Sequence, residues 1–285
     1  MNKVAAKNSI KTELSKSAQE EMLASWGVGH IDNSDVIIPK LFILQGISKA
    51  VITGEFSAGQ IVDSVKLKLL GDLREKNYKP LRFITFMQFK SIVEHEVVNV
   101  RNSRELKYVG TKLSSEVGDL PRSELINGRE IERTRQLNFY LFPVDTLDDD
   151  TKLPLIMTFK KTSYAAGKIL VNHFSDCGHA QAMVQEGKKV SMEKTIPAVK
   201  IFELNGKLVS NEKGSFYVPE IKETGEVVNS EGILKAFRWY KMLSAGKDAS
   251  GKVIKTDERE EEEESFSNNR ASGRTEARSE IDVDF

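Results

Sequence analysis

The sequence predicts a mainly β fold, a small barrel decorated by helical insertions, and three observations carry that prediction. Residues 77–100, NYKPLRFITFMQFKSIVEHEVVNV, are a long extended candidate rich in β-branched and aromatic side chains. Residues 135–145 and 152–163, RQLNFYLFPVD and KLPLIMTFKKTS, are two apolar strand candidates separated by the acidic stretch TLDDDT, the pattern of a hairpin with a solvated loop. Residues 195–228 supply further short strands, with NG and EKG read as tight turns between them.

Taken in order, residues 1–34 are an N-terminal extension with one helix candidate, ELSKSAQEEMLASW, whose final Trp26 is read as a packing anchor in preference to a partner contact. β texture begins at DVIIPKLFILQGIS. In the long strand candidate, Leu81, Phe83, Thr85, Met87 and Phe89 share one face and read as core. Arg82, Ile84, Phe86, Gln88 and Lys90 share the other face, a ring between two cations, and read as a half-exposed surface. Residues 163–190 change period, with Ala165, Ile169, Leu170 and Phe174 on one helical face. Residues 229–246 read as an amphipathic helix that buries Ile233, Leu234, Phe237 and Tyr240. After AGKDASGK, large apolar residues are too few to offset chain entropy, so 246–285 is expected to be a disordered acidic tail. The barrel domain is placed at 35–245.

Charge is distributed unevenly. Residues 257–285 hold eleven acids and four arginines, which leaves 38 basic and 31 acidic residues of the 42 and 42 in 1–256. The body is therefore +7 and the tail −7. A basic body suits a polyanionic partner, and an acidic tail of equal charge suits a competitor for the same surface. No apolar run approaches the roughly 20 residues needed to cross a bilayer, the N-terminus lacks a secretory pattern, and the single Cys177 forms no internal disulfide. A cytoplasmic location follows as the expectation, with no membrane partner.

Signatures of enzymes are missing. The chain has no Walker-type phosphate loop, no GxGxxG after a strand, no GxSxG elbow and no HExxH. HFSDCGH gathers His173, Asp176, Cys177 and His179, but a closed zinc site needs four well-placed donors and there is no second cysteine. The acidic run at 148–150 reads as a solvated loop rather than a cation site. The expectation is a binding protein with no catalytic residue, metal or cofactor.

The stretches IPKLFILQGIS, LNFYLFPV with LPLIMTFKKTSYAAGKIL, and VKIFELNGKLVSNEKGSFYVPEI resemble phage-encoded single-stranded DNA-binding proteins built on an oligonucleotide/oligosaccharide-binding (OB) barrel. The terminal EIDVDF resembles the acidic C-termini of bacterial and phage proteins of that kind, which finish on phenylalanine. Here Asp284, not the proline usual in bacteria, precedes Phe285. The resemblance implies an OB-like antiparallel barrel that coats single strands in phage DNA replication, recombination and repair, in the host cytoplasm. Its partners would be replication proteins such as a DNA polymerase, a helicase–primase or a nuclease, met through Glu280, Asp282, Asp284 and Phe285; a homodimer is compatible with it.

A non-specific single-strand binder needs a cationic groove and rings on which bases stack. The DNA-binding candidates are Arg82, Phe86 and Lys90 on one strand face; Tyr140, with Phe142, on the next strand; and Lys160 and Lys161 at a strand end. Tyr164 and Lys168 one helical turn apart, and Tyr217, with Phe216, beside Lys213, complete the rings. Tyrosines rank above phenylalanines because a phenol edge tolerates water. The basic stretch RNSRELKYVGTK, with Arg101, Arg104, Lys107 and Lys112, reads as a loop over the groove mouth. For each ring the competing reading is a core position, and for the stretch a solvated loop. Two other functions fit the same composition: a strand-annealing recombination mediator, and a β-rich virion or assembly protein whose tail only solubilises it.

Overall fold

The structure is a computed structural model that describes residues 38–66, 68–74, 80–100, 103–211 and 214–250. Arg101, Lys213, Trp26, the N-terminal helix candidate and the terminal Glu280, Asp282, Asp284 and Phe285 lie outside the described residues. The chain is mainly β. Ten strands form one sheet among the described residues: β1 (Lys40–Ile43), β2 (Gln60–Asp63), β3 (Leu69–Asp72), β4 (Leu81–Val100), β5 (Ser103–Leu113), β6 (Ser123–Ile126), β7 (Arg129–Pro143), β8 (Leu155–Lys160), β9 (Lys200–Asn211) and β10 (Gly214–Val227). One-turn helices α1 (Lys49–Ile52) and α2 (Ser114–Val117) sit in connections, whereas α3 (Tyr164–Gln185) and α4 (Ser230–Ser250) are long.

The body of the sheet runs β10-β9-β4-β7-β8-β1-β2-β3. Every pair is antiparallel except β1–β8, which is parallel, so the expected all-antiparallel barrel is corrected to a mixed sheet. The sheet curls until its ends meet. A Cβ on Gly206 of β9 would lie 2.2 Å from Leu73 at the end of β3, and the Gln45 side chain after β1 bonds the Tyr217 backbone in β10. This close approach, and not a turn, is the role of the NG expected to be a turn: Asn205 and Gly206 lie in mid-strand, Gly206 opposite Pro219.

Strands β4 and β7 outrun the body. From Ser91 onward β4 pairs with β5 as well as β7, and the first part of β7 pairs with β6, giving an arm in the order β5-β4-β7-β6. The expected basic loop at 101–112 is thus largely a strand: β4 offers a ladder for its backbone, which the alternating charges hid in the sequence. Arm charges are internally matched. The Arg133 guanidinium, almost fully buried, donates to Glu94 and Glu124 at 2.8 Å each, Lys112 reaches Glu94 at 2.6 Å, and Arg104 reaches Glu130 and Glu132 at 3.1 and 3.2 Å.

The sheet buries side chains on both faces. Inside the curl, Leu41, Ile61, Phe83, Phe139, Met157, Phe159, Phe202, Leu204 and Ile221 form one cluster that Leu170 of α3 joins, with Tyr164 and Phe174 packed on it. Gly167 lets α3 approach the Phe159 ring, since a Cβ there would stand 2.8 Å from it. The other face holds Ile38, Ile84, Phe86, Met87, Tyr140, Phe142, Ile156 and Ile201 under Ala236 and Leu243 of α4, with Trp239 packed alongside. A bulge at Phe86, between the pairs Thr85–Leu141 and Met87–Tyr140, turns Met87 to this second face and breaks the expected alternation.

Both helices bury a stripe that matches the expected one only in part: Leu170 is buried and Phe174 packs on the inner cluster as expected. In α3 the buried side is Gly167, Leu170, His173, Cys177 and Ala180, while Ala165 and Ile169 face outward. In α4 the buried side is Gly232, Lys235, Ala236 and Leu243, while Leu234, Phe237 and Tyr240 are exposed. Small residues decide the matter: a Cβ at Gly232 would come within 2.9–3.1 Å of Val228, Asn229 and Leu147, so only a glycine-bearing face fits so close. Lys235 follows inward and donates to the main-chain carbonyls of Thr146 and Asp149 at 2.7 and 2.5 Å, with its ammonium 4.7 Å from the Phe142 ring centre. The acidic 148–150 loop is thereby tied to α4, where Arg238 also meets Asp150 at 3.6 Å.

Candidate nucleic-acid interface

The parallel ladder between β1 and β8 is short. It pairs Lys40 with Ile156 and Leu41 with Met157, after which β1 stays with β2 and β8 stays with β7. The two strands part, and β10 lies across the gap at Phe216, Tyr217 and Pro219. The result is an open cleft of about 320 Å³. Apolar residues Leu41, Ile43, Met157 and Phe159 line it together with three rings, Phe42, Phe216 and Tyr217, each half-buried. Lys161, exposed, Lys160, half-buried, and Lys40, itself buried, belong to the same lining.

The edge formed by β8 is built by a sharp change of direction. The Ser163 hydroxyl accepts from the Lys160 N–H and donates to the Lys160 carbonyl, both at 2.8 Å, closing a small loop. Lys161 adopts φ 48°, a left-handed conformation uncommon for a residue with a Cβ. The chain then enters α3, so Lys161, Thr162 and Ser163 border the cleft where the helix N-terminus carries its partial positive charge. Tyr164 opens that helix, half-buried against the inner cluster, with the Lys168 ammonium 5.9 Å from its ring centre.

The opposite edge is held by Gln45 and Gly59. The Tyr217 N–H donates to Gln45 Oε1 at 2.8 Å, and Gln45 Nε2 donates to the Tyr217 carbonyl at 3.0 Å. A Cβ on Gly59, which has φ 89°, would fall 2.8 Å from the Tyr217 ring, so the ring rests directly on glycine backbone. Tyr217 is therefore fixed at its main chain and supported beneath its ring. A ring held this way loses little freedom when a flat ligand stacks on it.

Of the sequence candidates, Lys160, Lys161 and Tyr217 come together here, with Phe216 beside them and Tyr164 and Lys168 following on α3. Phe86 and Tyr140 do not. They are 5% and 4% exposed, inside the cluster under α4, and their accessibility is corrected: both faces of the central strands are covered, so neither ring reaches solvent. Burial pushes the Tyr140 phenol up to about 12. Phe142 is fully buried beside them. Arg82 is engaged with Glu226 at 2.5 Å, and Lys90 lies exposed on β4, outside the cleft. Arg104 and Lys107 are on the arm, Arg104 bridging two glutamates.

Sequence reasoning missed Phe42, Lys40 and Gln45. Lys40 and Phe42 are two apart in a strand, the same alternation that singled out Arg82 and Phe86, but the surrounding IPKLFIL reads as uninterrupted core. HFSDCGH is divided by its helix: His173 and Cys177 point inward one turn apart, Asp176 and His179 outward. His173 Nε2 lies 3.0 Å from the Pro197 carbonyl, and burial pulls its pKa below the ordinary value. Among the described residues no group of three His, Cys, Asp or Glu is placed to hold a metal ion, and no helix is long and apolar enough to cross a membrane.

Fold and cleft together define a β-rich protein with an open, ring-lined and lysine-bordered cleft in a curled mixed sheet. The chain belongs to the Pam3 phage gp34-like protein family, whose model matches residues 6–249, and is thus a phage-type protein. No curated protein and no solved structure matches it.

Proposed function

We propose that this protein binds single-stranded DNA in the cleft between β1, β8 and β10, without sequence preference and without catalysis. One observation carries the proposal: three half-buried rings, Phe42, Phe216 and Tyr217, share a lining with Lys40, Lys160 and Lys161. Unpaired bases offer flat faces for the rings, each stack contributing on the order of 1–3 kcal/mol whichever base it is. The strand's phosphates offer charge to the lysines, a contribution that fades as salt rises. Lysine suits this role because a point charge on a flexible stem does not demand one phosphate geometry.

In the phage setting of its family, the protein would coat and protect single strands during replication, recombination and repair. The acidic tail belongs to the same reading. Held at high effective concentration, it competes for the cleft at low salt, and DNA displaces it. Phe285 would then fill an apolar pocket on a replication protein, while its carboxylate, Asp282 and Asp284 meet basic residues there.

Ultraviolet crosslinking of the full chain to a halogenated oligo-dT, followed by peptide mapping, tests the location. Crosslinks are expected within 40–45, 157–164 and 214–219. Crosslinks confined to the arm or to the exposed face of α3 would refute the cleft as the site.

A further inference from the structure

We propose that two copies of this chain pair edge to edge through β5, with Glu105 and Lys107 setting the register. β5 is a free edge: it pairs with β4 on one side and with no strand on the other among the described residues. Such an edge offers its outward N–H and C=O groups to any strand that can lie alongside. Here it stands on the arm, beyond the body of the sheet. Its outer part is unbroken. From Ser103, opposite Val100, to Tyr108, opposite His95, the ladder with β4 runs without a shift, and the bulge comes only at Val109.

Charge identifies the occupant. Along the arm, acids and bases are matched within the molecule: Glu94 with Arg133 and Lys112, Glu96 with Arg129, Glu132 with Arg104. Glu105, half-buried, and Lys107, exposed, stand outside that network and form no ion pair among the described residues. They lie two apart in β5, on one face of the strand and on either side of Leu106.

An antiparallel pair of identical strands about a two-fold axis is defined by the residue that lies opposite itself. Centred on Leu106, the pair sets Glu105 opposite Lys107 of the second copy and Lys107 opposite its Glu105. Ser103 then meets Val109, so the pairing spans the unbroken stretch and ends at the bulge. Other registers lose these contacts. Centred on Arg104, Glu105 or Lys107, a charge meets its own copy, and centred on Tyr108, Arg104 faces Lys112. Centred beyond Tyr108, no unlike charges are opposite and the bulge falls inside the pairing. Unlike charges directly across a strand pair stabilise it, and like charges destabilise it. A lysine on an edge strand ordinarily keeps other strands away. With Glu105 two residues before it, Lys107 instead selects a second copy of its own strand. The contact is isologous, closes at two copies and uses no residue of the cleft.

Sedimentation velocity of the full-length chain over a range of concentrations tests this. The parent is expected to dimerise. E105K and K107E each set like charges opposite one another twice, and each alone is expected to associate at least about tenfold more weakly. An equimolar mixture of the two variants is expected to regain the parent's association, because unlike charges then meet at both positions; a misfolded arm would not be rescued by mixing. A parent that stays monomeric at every concentration, single variants that dimerise as well as the parent, or a mixture that regains nothing would overturn the inference. The register is read from L106C under mild oxidation, with the buried Cys177 out of reach. A covalent dimer is expected, and a dimeric protein that forms no such link would overturn pairing centred on Leu106.

Discussion

The side-chain amide of Gln45 takes the place of a strand partner for Tyr217: its Oε1 accepts the Tyr217 N–H at 2.8 Å and its Nε2 donates to the Tyr217 carbonyl at 3.0 Å. Across this contact one side chain joins β10 to the chain just after β1, where no ladder between β1 and β10 exists among the described residues. Fold and site meet at that point, because the bridge also positions a ring of the cleft.

Gln45→Ala leaves two half-buried peptide groups without their partner. The expected loss is about 1–3 kcal/mol in urea unfolding. Gln45→Glu keeps the acceptor for the Tyr217 N–H and is expected to recover part of it. Equal stability of all three proteins would show that the sheet ends are held elsewhere.

Charge and ring contributions to the cleft separate by salt dependence. Lys160→Ala and Lys161→Gly are each expected to weaken oligo-dT binding and to reduce the slope of log affinity against log salt by about 0.7. Glycine also accepts the φ 48° that Lys161 adopts, so the second variant removes charge without backbone strain. Tyr217→Ala should weaken binding by about 1–3 kcal/mol and leave the slope unchanged. Tyr140→Phe, altered within the core, should leave binding as it was.

The arm is expected to be sensitive to acid. Burial pushes the Glu94 carboxyl up, but hydrogen bonds and charge from Lys112 and Arg133 together outweigh it and hold the pKa below its ordinary 4.5. A carboxylate with a lowered folded pKa contributes stability above the unfolded value and loses it as pH falls through the folded one. Protection of arm amides should therefore be constant above pH 4.5 and decline below it. Glu94→Gln should be less stable by about 1–3 kcal/mol at neutral pH and should flatten that decline. An unchanged acid profile in the variant would assign the sensitivity to other carboxylates.

What the sequence revealed follows from how the strands are buried. β4 and the β7–β8 hairpin were legible because long β-branched and aromatic runs bounded by turn residues have few other uses. Exposure was not legible there. Strands covered on both faces carry apolar residues at every position, so Tyr140 and Phe86 look the same in sequence whether they face water or α4. The two NG pairs make a similar point. Asn127–Gly128, with φ 52° and 78°, makes the β6–β7 turn, whereas Asn205–Gly206 runs straight through β9 because Leu73 needs the space. In α4 both stripes are apolar enough to bury, and the choice fell to Gly232 and Ala236, residues too small to weigh in a hydrophobic pattern. The cleft itself depends on where β1 and β8 part, a relation between residues more than a hundred apart in the chain.

The most direct measurement is an equilibrium titration of labelled oligo-dT with the full-length chain and with a 1–256 truncation at several salt concentrations. Both proteins are predicted to bind, more weakly as salt rises, and the truncated form is predicted to bind more tightly at low salt. Absence of binding by either protein in dilute buffer would contradict the account, and weaker binding after truncation would contradict competition by the tail.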